Sequence, residues 1–231
     1  MDEIFSKGRL QVAIPVLFGA IYLSAFKNGK QTCDRYFLNY FLYLLMSLTI
    51  YFYSSVHIKY EKKGLWLVSM MVLIGGIFAF YLIKNNIVKH LLWVAIIVSS
   101  GLLSRNLYKK VDEEDVKNVL RKLIVILVIC VIIASLYPQF LTQKLEYILI
   151  FALIGTMIAG LIDFVFYEKK YSSVISYIIV FIFSGFVMFD TKRVKEFSKT
   201  CVDGNTGYLD NVLDMFINLT GLFDTLLKLE E

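Results

Sequence analysis

The sequence predicts an all-α, polytopic membrane protein: a seven-transmembrane-helix bundle with an extra N-terminal half-buried segment. Three observations predict it. Of the 231 residues 58% are hydrophobic and 19% charged, where soluble domains carry roughly 25% charge. Mean hydropathy is +0.68, and the whole chain holds two prolines. The apolar residues also gather into runs of about 20, the length an α-helix needs to cross a bilayer core.

The first apolar run, QVAIPVLFGAIYLSAF at 11–26, has Pro15 near its start. As a helix it would be about 24 Å long at 1.5 Å per residue, short of the roughly 30 Å hydrocarbon core. It is expected to lie in the interface or half-buried. The preceding MDEIFSKGRL is mixed in charge, which does not suit a cleaved signal peptide. Seven longer runs follow, at 36–56, 65–84, 87–104, 119–138, 145–166, 172–190 and 208–227. Residues 1–35 thus form an N-terminal region and 36–231 a seven-helix transmembrane domain, with connectors too short for a soluble domain. Within the run at 145–166, Gly155 and Ala159 make a small-residue pair of the kind that lets a neighbouring helix approach. The connector VDEEDVKNVLRK at 111–122 reads as a solvated surface helix.

Charge excludes more than it selects. With seven spans, the 24 Lys and Arg divide 12 and 12 between the two faces, so the positive-inside rule assigns no orientation. The net charge of +5 is spread over both faces; it suits anionic lipid headgroups and gives no reason to expect nucleic acid as a partner. No Gly-rich phosphate loop and no Cys/His metal spacing occur in the sequence. Neither enzymatic activity nor a cofactor is expected. His57 and His90 fall at span ends, where a polar ring suits the interface. The sequence NLT at 218–220 has the form of a glycosylation acceptor but lies within an apolar run.

Cys130 sits inside an apolar run and reads as a small core residue. Cys33 and Cys201 fall in connectors that seven-span parity places on one side. They can bridge only if that side is oxidising, and free thiols are the expectation.

The carboxylates inside apolar runs are the candidate functional groups. An aspartate at the centre of a span costs about 2.5–3.5 kcal/mol on insertion scales, so it needs a partner or water. Asp163 lies near the basic end of its span, where snorkelling and function are equally good accounts. Asp190 also lies near a span end, before Lys192, Arg193 and Lys195. Asp210 and Asp214 are spaced i and i+4 and share a helix face, which Asn218 continues one turn further. This polar stripe is expected to face the bundle interior or water.

GFVMFDTKR at 185–193, followed after a connector by YLDNVLDMFINLTGLF and LLKL, resembles the last two helices of the Bax inhibitor-1 family, also called the transmembrane Bax inhibitor motif (TMBIM) family. The resemblance is specific over these C-terminal residues and elsewhere extends only to the number and spacing of apolar runs. It implies a seven-helix bundle that leaks Ca2+ in a pH-dependent way, modulates intracellular calcium and suppresses cell death. It implies the endoplasmic reticulum or Golgi membrane for a eukaryotic or viral chain, and the plasma membrane for a prokaryotic one. In that family two aspartates on the last two helices share a proton and hold the pore closed. The first maps onto Asp190. Aligning the terminal LF puts the second at Asn218, while Asp214, one turn earlier, matches an acidic position of some members. That departure points to a viral or otherwise divergent member.

Two adjacent carboxylates titrate as a coupled unit, whereas an amide does not titrate. If Asn218 neighbours Asp190, pH gating is expected to be blunted; if Asp214 does, it is expected to survive. Ionised carboxylates would attract a hard cation, for which oxygens are suitable ligands. Ca2+ is therefore expected as a permeating ion passing near Asp190 and Asp214, with no fixed metal site. No arginine lies inside the second or third run at 65–84 and 87–104 to serve as counter-ion, which leaves Lys192, Arg193 or Arg121 at span ends. The partners expected are the bilayer, Ca2+ and apoptosis-regulating membrane proteins. An alternative is a non-conducting regulator of apoptosis acting through such partners. An intramembrane aspartyl protease fits less well, because YLDNVLD lacks the Gly-x-Gly such enzymes place before their second aspartate.

Overall fold

The computed structural model describes residues 6–27, 30–58, 63–108, 110–203 and 206–230. Among these residues the chain is almost wholly helical, with eight α-helices. They are α1 (Lys7–Ala25), α2 (Tyr36–His57), α3 (Lys63–Leu82), α4 (Asn86–Tyr108), α5 (Glu113–Leu136), α6 (Gln143–Phe166), α7 (Ser172–Thr200) and α8 (Tyr208–Glu230). A two-residue strand β1 (Phe26–Lys27) pairs antiparallel with β2 (Lys30–Gln31), and a 3-10 turn covers Pro138–Phe140.

Helix α1 starts before its apolar run, because the Ser6 side chain accepts a hydrogen bond from the Arg9 amide at 3.4 Å and caps it. Pro15 is carried inside the helix, at the loss of one backbone hydrogen bond. The 19 residues make a helix about 28 Å long. Val12, Val16, Phe18, Tyr22 and Leu23 are each more than 60% exposed, an apolar surface that lipid suits.

Among the described residues, six helices can cross a membrane by length and composition: α1, α2, α4, α5, α6 and α7. This set differs from the seven runs expected. Helix α3 has a shorter apolar stretch, Trp66–Leu82. Helix α8 is interrupted by Asp210, Asp214, Asp224 and Lys228. Yet Val212, Leu213, Phe216, Leu222 and Leu227 of α8 are fully buried. Protein rather than lipid encloses these side chains, which is why the helix tolerates charge that a lipid-facing span would not.

The chain divides into two compact units, 1–110 with 197–216 and 111–196 with 217–231. In the first, α1 packs on α2, and α4 packs on both α2 and α3. A Cβ on Gly101 would stand 2.5 Å from the Tyr51 carbonyl oxygen, so α2 and α4 meet at a glycine. The first turns of α8 complete this unit, with the Phe216 ring 5.8 Å from that of Tyr51. The second unit has a core of Ala134, Leu141, Leu149, Ile182 and Phe189, contributed by α5, α6, α7 and the turn after α5.

Three expectations change. The segment 111–122 is mostly the opening of α5, where the Asp115 carboxylate accepts from the Asp112 amide at 3.2 Å. Its Val116 and Val119 are buried, so only its charged face is surface. Gly155 and Ala159 lie on an exposed face with open space beside Gly155. The close approach comes instead at Gly185, where an added Cβ would meet Leu149 at 2.6 Å. Finally, Cys33 and Cys201 are not free thiols: they form a disulfide across 168 residues, while Cys130 is free and buried.

Candidate functional site

Asp190 lies on α7 and is 5% exposed. Its Oδ2 accepts a hydrogen bond from Nδ2 of Asn218 on α8 at 2.7 Å. Arg193, one turn along α7, brings Nη1 to 3.9 Å from Asp190 Oδ1. The same guanidinium donates to Glu146 Oε1 of α6 at 2.7 Å. Lys192 donates to the Leu141 carbonyl at 2.8 Å, and Arg121 to Asn118 at 3.3 Å. Of the three candidate counter-ions, Arg193 is therefore the one placed beside Asp190. A Cβ on Gly221 would fall 2.5 Å from the Phe183 ring. That missing side chain lets α7 and α8 run close enough for an aspartate and an asparagine, both short, to bond directly.

The other two members of the α8 stripe lie in the first unit. Asp210 pairs with Lys89 of α4 at 2.6 Å, and the Lys89 ammonium also stands 4.8 Å from the centre of the Phe80 ring. Asp214 accepts from the Tyr81 hydroxyl of α3. Asp210, Asp214 and Asn218 thus share a face of α8, with Lys89, Tyr81 and Asp190 as respective partners. Asp163 has a different setting: its Oδ1 accepts from the Tyr171 amide at 2.9 Å and its carbonyl from the amides of Tyr167 and Lys169. It braces the turn between α6 and α7, where Glu168 and Lys169 adopt positive φ.

Next to Asp210 is a cavity of about 470 Å3 whose walls include Gln31, Lys84, Asn86, Lys89 and Thr206. Buried hydrogen bonds organise its rim. Thr206 donates to Gln31 Oε1 at 2.9 Å, the Tyr208 hydroxyl donates to the Thr32 carbonyl at 2.5 Å, and Asn39 donates to the Tyr208 hydroxyl at 3.1 Å. Asn211 donates to the Tyr36 hydroxyl at 3.0 Å.

The family model Bax1-I, "Inhibitor of apoptosis-promoting Bax1", matches residues 33–229. The chain belongs to this family. No individual curated protein matches it. A Bax inhibitor family member with several long apolar helices is a multi-pass membrane protein.

In this Bax inhibitor family chain, the structure adds three residues to the site that the sequence analysis did not single out. Glu146, Lys89 and Tyr81 all contact the candidate carboxylates or their counter-ion. Glu146 and Lys89 are charges just inside apolar runs, the same signal that singled out the aspartates. Tyr81 carried no such signal in a chain with 15 tyrosines.

Proposed function

We propose that this Bax inhibitor family protein is a pH-sensitive Ca2+ leak channel, not an enzyme, that modulates intracellular calcium and suppresses cell death. The observation that carries the reading is the Asp190–Asn218 hydrogen bond joining α7 to α8, with Arg193 beside it. The seven helices α2–α8 would form the transmembrane bundle, in the endoplasmic reticulum or Golgi membrane of a eukaryotic or viral host, or the plasma membrane of a prokaryote. Its partners would be the bilayer, Ca2+ and apoptosis-regulating membrane proteins.

The bond would act as a lock on the closed packing. An ionised Asp190 is the stronger acceptor for the Asn218 amide, since hydrogen bonds to charged groups contribute about 1.5–3 kcal/mol against about 1 for neutral ones. It also attracts Arg193. Protonation removes that charge and weakens both contacts, so the lock loosens and leak rises as pH falls. Because Asn218 does not titrate, this contact supplies one titrating group where an aspartate pair would supply two, and its pH response is correspondingly shallow. Once the helices part, Asp190 offers oxygens to a passing hard cation without a fixed cage, and Asp210 and Asp214 offer theirs separately within the first unit.

The test is Ca2+ flux into proteoliposomes at about pH 6 and about pH 8, either side of neutrality. Wild type should leak more at the acidic value, and Asp190→Asn should leak at both with little difference between them. Flux equal to that of empty liposomes under both conditions would replace the channel with a non-conducting regulator. The α8 polar stripe would then be a docking face for partner helices.

A further inference from the structure

The disulfide bears on which way the protein faces. Cys33 lies between β2 and α2, and Cys201 immediately follows α7. The same two connectors are joined again by the Cys33 amide donating to Asp203 Oδ1 at 2.6 Å and by Thr206 donating to Gln31. Both connectors therefore lie on one face, and an even number of crossings separates them. Of the six helices between, only α2, α4, α5, α6 and α7 pass as spans on length and composition. Five crossings would leave the two cysteines on opposite faces.

Helix α3 supplies the sixth. Its 20 residues reach about 30 Å. The cavity beside Asp210 supports this independently. Its walls combine Gln31 from the connector before α2, Lys84 from the connector after α3, and Thr206 from the connector before α8. All three connectors meet at one end of this unit, as they do if α2 and α3 each cross once.

We infer that this end, with its bridge and its cavity, faces an oxidising compartment, either the lumen of the secretory pathway or the cell exterior. Disulfides persist in such compartments and are rare in the cytosol. Charge agrees once α1 is counted as a crossing, for which it is long and apolar enough. Lys7 and Arg9 then change sides, and the Lys and Arg tally moves from 12 and 12 to 14 and 10. The excess lies on the face opposite the bridge, where cytoplasmic loops collect positive charge. Lys7 at the start of α1 and Lys228 near the end of α8 are then both on the cytoplasmic side. If the channel reading holds, the Lys89–Asp210 pair stands on the side of the membrane from which Ca2+ leaks; the orientation itself does not depend on that reading.

The test uses the full chain in sealed microsomes. Peptide mapping without reduction should recover Cys33 joined to Cys201. After treatment with a membrane-permeant reductant, a membrane-impermeant maleimide should leave both cysteines unlabelled until detergent opens the vesicles. A Lys228→Cys variant, near the C-terminal end of α8, should be labelled in sealed vesicles and so reports that the reagent works. Labelling of Cys33 or Cys201 in sealed vesicles overturns the orientation, as does recovery of both as free thiols. A protein that keeps them shielded yet conducts no Ca2+ retains this orientation and loses only the channel reading.

Discussion

Asn218 Nδ2 lies 2.7 Å from Asp190 Oδ2, so the aspartate of FDT on α7 bonds to an amide on α8 at the position where the family resemblance leads one to expect a carboxylate. The contact joins two helices through a single ionisable group. A single substitution at Asn218 therefore tests the proposed pH response.

Asn218→Asp should create a carboxylate pair at this contact. Two acids within hydrogen-bond reach titrate as a unit, so the pH dependence of proteoliposome leak should become steeper and its midpoint should move upward. An unchanged pH profile would mean that the Asp190–Asn218 contact does not gate flux.

Arg193 is shared between Glu146 at 2.7 Å and Asp190 at 3.9 Å. Glu146→Gln should release the guanidinium toward Asp190 and reduce leak a few-fold, the scale of about 1 kcal/mol for such a pair. Arg193→Met should raise leak by a similar factor. Flux at near-neutral pH reads both, and the opposite signs separate an effect on the lock from general destabilisation.

Gly101→Ala should lower thermal stability in detergent without touching the carboxylates. The added Cβ would meet the Tyr51 carbonyl at 2.5 Å and Ser54 Cβ at 2.8 Å. Since the first contact is backbone, it cannot be relieved by a side-chain rotation, and overpacking of this kind costs about 1–3 kcal/mol. A melting temperature equal to wild type would show that α2 and α4 separate freely.

Cys33→Ser should destabilise the first unit, because the bridge closes a loop of 168 residues. Loss of a native disulfide removes roughly 2–4 kcal/mol. A reductant should lower the melting temperature of wild type to that of the variant and leave the variant itself unmoved.

Lys89→Ala should act through two contacts at once, the Asp210 ion pair and the Phe80 ring. Asp210 is partly exposed, so screening limits the pair, and a double-mutant cycle with Asp210→Ala should return a coupling of about 0.5–1 kcal/mol that shrinks as salt is added.

The sequence by itself determined the membrane class, the helical architecture and the family. These depend on composition, on run length and on the C-terminal motif around Asp190, all of which are local along the chain. Helix periodicity also placed Asp210, Asp214 and Asn218 on one face, since that follows from the helical repeat alone. The tertiary structure decided the partners: Asn218 for Asp190, Tyr81 for Asp214, Lys89 for Asp210, and a backbone amide for Asp163. It also joined Cys33 to Cys201. The physical reason is distance along the chain. A residue's own helix fixes which way it points, but a partner 28 positions away, as Asn218 is from Asp190, or 168 away, as Cys201 is from Cys33, is chosen by how helices pack.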